Sequence, residues 1–223
     1  TTLFRSPIEW SRTAGWVRQI AGALRHAHER GIIHRDIKPA NLLHTEQDDQ
    51  VFVADFGLAA VRRELADRSG SGFIFGTPIY MAPEQRRGEE ATPATDIYCL
   101  GVTWLHVLIG EVPVSGETVP ALLFDPAAAA LKWDHPVLEQ VPPALKRLLQ
   151  DMTAPTLAER VATIDHLLAR LDEIAPSDGS VPTAPAATED QAGDEDARDD
   201  PTRRAVVDAA NSLKAWRARL NIE

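Results

Sequence analysis

Within six residues, Asp36-Ile37-Lys38-Pro39-Ala40-Asn41, the chain sets a carboxylate, an ammonium group and a carboxamide, and a second carboxylate follows in Asp55-Phe56-Gly57. Transfer of a phosphoryl group needs a positioned hydroxyl nucleophile, metal that neutralises the phosphates and little covalent help from the protein. The spacing Asp36-x-Lys38-x-x-Asn41 supplies three such parts from one short loop. Taken singly these residues mean little, because Asp and Asn are common in turns. Their order, their spacing and the apolar runs beside them carry the weight, with Ala82-Pro83-Glu84 following further on.

Several elements must hold these residues in place. From Trp16 onward, Val17, Ile20, Ala21, Leu24 and Ala27 recur at helical spacing, and Arg30-Gly31 gives a basic last turn with a glycine stop. One amphipathic helix therefore leads into the loop. Leu42-Leu43 and Val51-Phe52-Val53, separated by the polar Glu46-Gln47-Asp48-Asp49, read as a small hairpin that brings Asn41 and Asp55 to neighbouring ends. Residues 58–81 contain Ser69-Gly70-Ser71-Gly72 and few periodic apolar positions, which suits a mobile surface segment. The stretch Asp96–Ile109 is apolar almost all round, as a central buried helix should be, and Gly110 ends it. Further helices are expected over Pro143–Met152 and Thr163–Ile174.

The set His34-Arg35-Asp36-Ile37-Lys38-Pro39-Ala40-Asn41, Asp55-Phe56-Gly57 and Ala82-Pro83-Glu84 resembles the motifs of the serine/threonine protein kinase catalytic domain in its bacterial, eukaryotic-like form. The resemblance runs over about residues 7–174 and is densest from Gly31 to Gly110. It implies an α+β, protein-kinase-like fold. The portion present would be the mostly α-helical carboxy-terminal lobe with its small β-hairpin, without the amino-terminal β lobe. It further implies transfer of the γ-phosphate of ATP, with Mg²⁺ or Mn²⁺, to Ser or Thr of protein substrates. Asp36 would accept or orient the hydroxyl proton, Lys38 would steady the transferred phosphate, and Asn41 and Asp55 would hold metal. Leu43 resembles the residue beneath the adenine ring, and Phe56 would stack on His34. Lysine two residues after the aspartate favours a Ser or Thr acceptor.

Other residues take roles only through the same resemblance. Thr77 would hydrogen-bond near Asp36 and Lys38, within a peptide platform that runs from Gly76 to Glu84. Glu84 would form a buried pair with Arg160, the bland alternative being a solvated surface arginine. Asp96 would grip the catalytic-loop backbone, unless it is simply a helix-start acid favoured by the dipole. Arg35 beside Asp36 suggests control by phosphorylation at Ser69 or Ser71, against the reading of that tract as a flexible tether. Two alternatives to a protein kinase stay open. One is a small-molecule phosphotransferase, which usually lacks the 76–84 platform; the other is a kinase-lobe adaptor that binds a peptide or protein partner without catalysis. A metal cluster of His26, His28 and His34 competes with structural roles at a helix end.

With 223 residues and 44% apolar content the chain can bury one core of ordinary size. Its net charge of −10 is concentrated: residues 175–202 hold eight acids against Arg198 and contribute −7. That stretch, rich in Pro and Ala and without periodicity, reads as a disordered acidic linker. Residues 203–223 follow as an amphipathic helix that carries Val206, Leu213, Trp216 and Leu220. An acidic chain with no basic stripe is a poor candidate for nucleic-acid binding. The lone Cys99 excludes an internal disulfide and suits a cytoplasmic compartment. The apolar run Ile97–Ile109 falls short of the ~20 residues that span a bilayer, so no membrane segment is expected in this portion. Thr1-Thr2-Leu3-Phe4-Arg5-Ser6 reads like a translated sequencing adapter, and residues 1–6 are expected to be an artefact. Partners would be protein substrates and a possible second kinase copy. The chain alone should be nearly inactive for lack of an ATP-positioning loop and lysine, since ~1 Å of misplacement can cost ~100-fold.

Overall fold

The computed structural model describes residues 7–45, 47–56, 78–115 and 130–176. Helix α1 spans Trp10–His28, and the stripe Trp16, Val17, Ile20, Ala21, Leu24 and Ala27 is buried as its spacing requires. It begins ahead of Trp16 because of a tertiary contact that periodicity does not reveal. The Thr13 hydroxyl donates to the Trp10 carbonyl at 2.9 Å and accepts from the Trp104 indole N–H at 2.9 Å. Gly31 then ends the run, its φ of 71° lying in the left-handed region that a side chain disfavours.

Strands β1 (Leu42–Thr45) and β2 (Gln50–Val53) pair antiparallel, with Leu42 opposite Val53 and Leu43 opposite Phe52. Period-two alternation sends Leu42 and Val51 into the core and leaves Leu43 57% exposed. The Ala54 N–H donates to the Asn41 carbonyl at 2.9 Å, so the ends that carry Asn41 and Asp55 lie side by side as expected.

Helix α2 is one turn, Pro83–Arg86, and α3 runs from Pro93 to Ile109. The central helix starts before Asp96 because Pro93 occupies its first turn and Thr92 precedes it, the Thr92 N–H donating to Thr95 Oγ1 at 2.9 Å. Nearly all of α3 is buried, and it packs on α1 and on α4, which spans Pro143–Met152. At Gly101 an added Cβ would lie 2.8 Å from Thr153 Cγ2 and 2.9 Å from Met152 Cβ, so glycine permits the close approach of α4. Helix α5, Ile164–Ile174, closes against α1; Thr163 stands just outside it as the cap, accepting from the His166 N–H at 3.2 Å. Leu24, Leu100, Leu105, Leu145, Leu148 and Leu167 are fully enclosed, each contributing roughly 1.5–3 kcal/mol relative to exposure.

Two short strands went unread in the sequence. Val114–Ser115 (β3) and Ala130–Leu131 (β4) pair antiparallel, with Val114 opposite Leu131. Such two-residue strands carry no pattern of their own. Among the described residues no helix is long and apolar enough to cross a membrane. The expectations for residues 1–6, for 57–77, for most of 175–202 and for 203–223 fall outside the described residues.

Candidate active site

The loop between α1 and β1 gathers the predicted residues around one carboxylate. Lys38 Nζ lies 2.8 Å from Asp36 Oδ2, and both side chains are mostly buried. Asn41 Nδ2 donates to the Asp36 carbonyl at 2.7 Å and to Asp36 Oδ2 at 3.1 Å. With its amide hydrogens engaged there, the Asn41 side-chain oxygen is the atom left for a hard cation. Asp55 follows β2 with an exposed side chain and a left-handed φ of 65°.

Behind this front a second set of contacts fixes the loop backbone. Asp96 is fully buried on α3 and accepts from the His34 N–H at 2.8 Å and from the Arg35 N–H at 2.7 Å. His28 Nε2 meets the same carboxylate at 2.8 Å. The sequence alone left open whether Asp96 grips the loop or merely starts a helix, and its two oxygens do the former. His34 lies at 0% exposure, with Nε2 2.9 Å from the Ala54 carbonyl and Nδ1 3.2 Å from the Asp36 N–H. One tautomer, with the proton on Nε2, satisfies both, so a single ring joins the His34–Asn41 loop to the approach to Asp55. Phe56 meets this ring edge to face at a centroid distance of 4.7 Å.

Arg35, like Asp55, adopts a left-handed backbone, φ 69°. Residues held so cost about 1–3 kcal/mol and persist where neighbours over-determine them. The Arg35 Nε is buried with no hydrogen-bond partner among the described residues.

The expected ion pair forms in full. Arg160 Nη1 and Nη2 donate to Glu84 Oε1 and Oε2 at 2.6 and 3.0 Å, and Thr95 Oγ1 adds a bond at 2.8 Å. Burial works most strongly against the charged Glu84 carboxylate, yet the hydrogen bonds from Arg160, a backbone N–H and Thr95, together with the Arg160 charge, jointly outweigh it and hold the group below the usual carboxylate range. Gly57, Ser69, Ser71 and Thr77 lie outside the described residues. Of the histidines weighed as a metal cluster, His28 turns to Asp96 and His26 Nδ1 lies 3.1 Å from Arg30 Nη1.

Sequence reasoning missed a polar hub that fixes the hairpin turn. Asp49 accepts from Arg12 Nη2 at 2.8 Å and from Trp16 Nε1 at 3.0 Å, and its carboxylate lies 2.8 Å from His44 Nε2. The Arg12 guanidinium, against a smaller opposing effect of burial and with help from His44 and Trp16, holds the Asp49 carboxyl down at about 2. Its partners on α1 are more than thirty positions away, so no local spacing announced it.

A mostly helical lobe that carries Asp36, Lys38 and Asn41 on one loop and Asp55 at the end of an adjoining hairpin has the architecture of a kinase catalytic lobe. The chain belongs to the protein kinase domain family, which it matches over residues 3–170. It is 33% identical over 171 residues to serine/threonine-protein kinase PknL of Mycobacterium tuberculosis, covering 77% of this chain and 42% of that protein. With serine/threonine-protein kinase PknD of the same organism it shares 36% identity over 165 residues, 72% of this chain and 24% of the relative. Its fold is similar to the crystal structure of the Mycobacterium tuberculosis PknI kinase domain, with a TM-score of 0.53 at 28% identity, covering 77% of this chain and 58% of that one. The chain therefore spans less than half the length of these two curated relatives. Its family is that of the bacterial serine/threonine protein kinases.

Proposed function

We propose that this chain supplies the catalytic-loop lobe of a kinase that transfers the γ-phosphate of Mg-ATP to Ser or Thr hydroxyls of protein substrates. The observation that carries the reading is the convergence of Lys38 Nζ and Asn41 Nδ2 on Asp36 Oδ2, behind which Asp96 holds the loop backbone. Asp36 is thereby oriented to take or steer the proton of an incoming hydroxyl. Lys38, 2.8 Å from Asp36, stands where it can steady a phosphoryl group as it passes to that hydroxyl. Asn41 and Asp55 are the residues that would hold Mg²⁺ or Mn²⁺, and their oxygen donors suit such hard ions. Bound metal and ATP supply the phosphoryl group and the neutralisation of its charge. Leu43, exposed on the hairpin, offers an apolar face for an adenine ring.

The segment Pro78–Glu84, fastened at Glu84 by Arg160, is read as the platform for the substrate peptide, and Thr77, which precedes it in sequence, keeps the role the resemblance implies. The buried Arg35 Nε, without a hydrogen-bond partner among the described residues, supports control by a phosphate on Ser69 or Ser71. Phosphopeptide mass spectrometry of the active enzyme that finds neither site modified would remove that part of the reading. A cytoplasmic placement, and a second kinase copy as partner, belong to the same proposal. The adaptor alternative leaves the convergence on Asp36 without a purpose.

The test is transfer of radiolabelled γ-phosphate from Mg-ATP to a Ser/Thr peptide library by the full product of the gene, alongside the Asp36→Asn variant. Transfer that depends on Asp36 supports the reading; wild-type protein without transfer, or a variant as active as wild type, overturns it.

A further inference from the structure

Gln85 ties together three parts of the lobe that the sequence keeps far apart. Its Nε2 donates to the Arg35 carbonyl at 2.7 Å. Its Oε1 accepts from the Ala82 N–H at 3.0 Å and from the Cys99 thiol at 3.3 Å. Burial pushes the Cys99 thiol far up from its usual value, so it stays protonated and serves as a donor.

The target of the Nε2 bond is one of the non-glycine residues that hold a left-handed backbone among the described residues. Arg35 has a φ of 69°, and its N–H is already held by Asp96 Oδ1 at 2.7 Å. With Gln85 on the carbonyl, both polar groups of that residue are fixed, one from α3 and one from α2. Asp36 is the next residue in the chain. A primary amide is planar and its two polar ends are a fixed distance apart, so the positions of the Ala82 N–H and the Arg35 carbonyl are set relative to each other through one rigid group.

We propose that Gln85 is a positioning residue that couples the Pro78–Glu84 segment to the catalytic loop, so that the backbone at Arg35-Asp36 keeps its strained form only while that segment is seated. The consequence for catalysis rests on the kinase reading above; the coupling itself does not. Arg160 and Glu84 fasten the segment to the helices below, and Gln85 fastens it to the loop above. Loss of either attachment is felt differently: the first loosens the lobe, the second misplaces Asp36.

Two substitutions separate the arms of the amide. Gln85→Glu keeps an acceptor for the Ala82 N–H and removes the donor to Arg35, setting a carboxylate against a carbonyl. Gln85→Met keeps the length and removes both. Residue-resolved amide exchange on the 223-residue protein reads the result. In Gln85→Glu, the amides of Arg35–Ile37 should exchange at least about tenfold faster while Ala82 stays protected, and in Gln85→Met both should accelerate; α4 and α5 should be unchanged in each. Unaltered exchange at Arg35–Ile37 in both variants overturns the coupling, as does equal acceleration throughout α4 and α5, which would mean general loosening.

In the full gene product, Gln85→Glu should lower kcat on a Ser/Thr peptide at least about tenfold with the KM for ATP within about twofold. Unchanged kcat overturns the catalytic consequence. A wild-type protein without transfer fails the kinase reading instead, and the exchange measurements still decide whether Gln85 couples the two segments.

Discussion

Arg160 grips Glu84 through two nitrogens at 2.6 and 3.0 Å, across 76 positions of sequence, with the two side chains at 0% and 1% exposure. The same guanidinium also donates to the carbonyls of Ala154 and Ala94 and lies 4.9 Å above the Tyr98 ring. Truncation on one side therefore strands a buried charge. Arg160→Ala should lower stability by about 3–5 kcal/mol, read as a fall in the denaturant midpoint; an unchanged midpoint would show that the pair carries no weight.

That pair also sets an acid limit. Because Glu84 is held below its ordinary 4.5 in the folded chain, the unfolded chain binds a proton there more readily. The stabilisation is thus complete above 4.5 and is lost as the pH falls through the lower folded value. Thermal melts taken from neutral pH down to about 3 should show wild-type stability dropping through this window. Glu84→Gln should flatten that part of the curve.

Asp96 carries the backbone of His34 and Arg35 and the ring of His28 on one buried carboxylate. Asp96→Ala should cost about 1.5–3 kcal/mol for each charge-assisted bond lost, and should expose the His34 and Arg35 amides to exchange. Full protection of those amides in the variant would contradict this.

Asp36→Asn leaves an oxygen for Lys38 and Asn41 but removes the basic carboxylate. Phosphotransfer should fall by about 10²–10⁴-fold with the melting temperature nearly unchanged. A comparable loss of stability would mean that Asp36 is structural.

The Tyr80 hydroxyl lies 2.8 Å from His106 Nδ1. Burial raises the phenol to about 12 and lowers the imidazole from its ordinary 6.5, while Glu111 pulls the imidazole the other way. The phenol is accordingly the donor and the neutral ring the acceptor. A histidine whose folded value is depressed binds its proton more readily when unfolded, so stability should decline as the pH drops below 6.5. His106→Gln should remove that slope below pH 6.5.

Much of the lobe was legible because its signals are local. The stripe from Trp16 to Ala27, the apolar run to Ile109 and the start at Pro143 each follow from periodicity or from the missing N–H of proline, and helices stand at all three. The hairpin was legible too, since two short apolar runs around a polar turn have few other folds available. Residues that act through distant partners were not. Asp49 and Gln85 looked like ordinary polar positions because Arg12, Trp16, Arg35 and Cys99 reach them only after the chain has closed.

By itself the sequence determined which groups are available and in what order: Asp36, Lys38 and Asn41 on one loop, Asp55 beyond a hairpin, and a buried helix beginning near Asp96. The tertiary structure decided that Asp96 holds the loop backbone, that Glu84 and Arg160 meet away from water, and that Arg35 is clamped in a left-handed form from two helices. The physical reason is one of range. Periodicity and turn chemistry act over a few residues, whereas a buried hydrogen bond or ion pair joins groups that only the packed core brings within 3 Å.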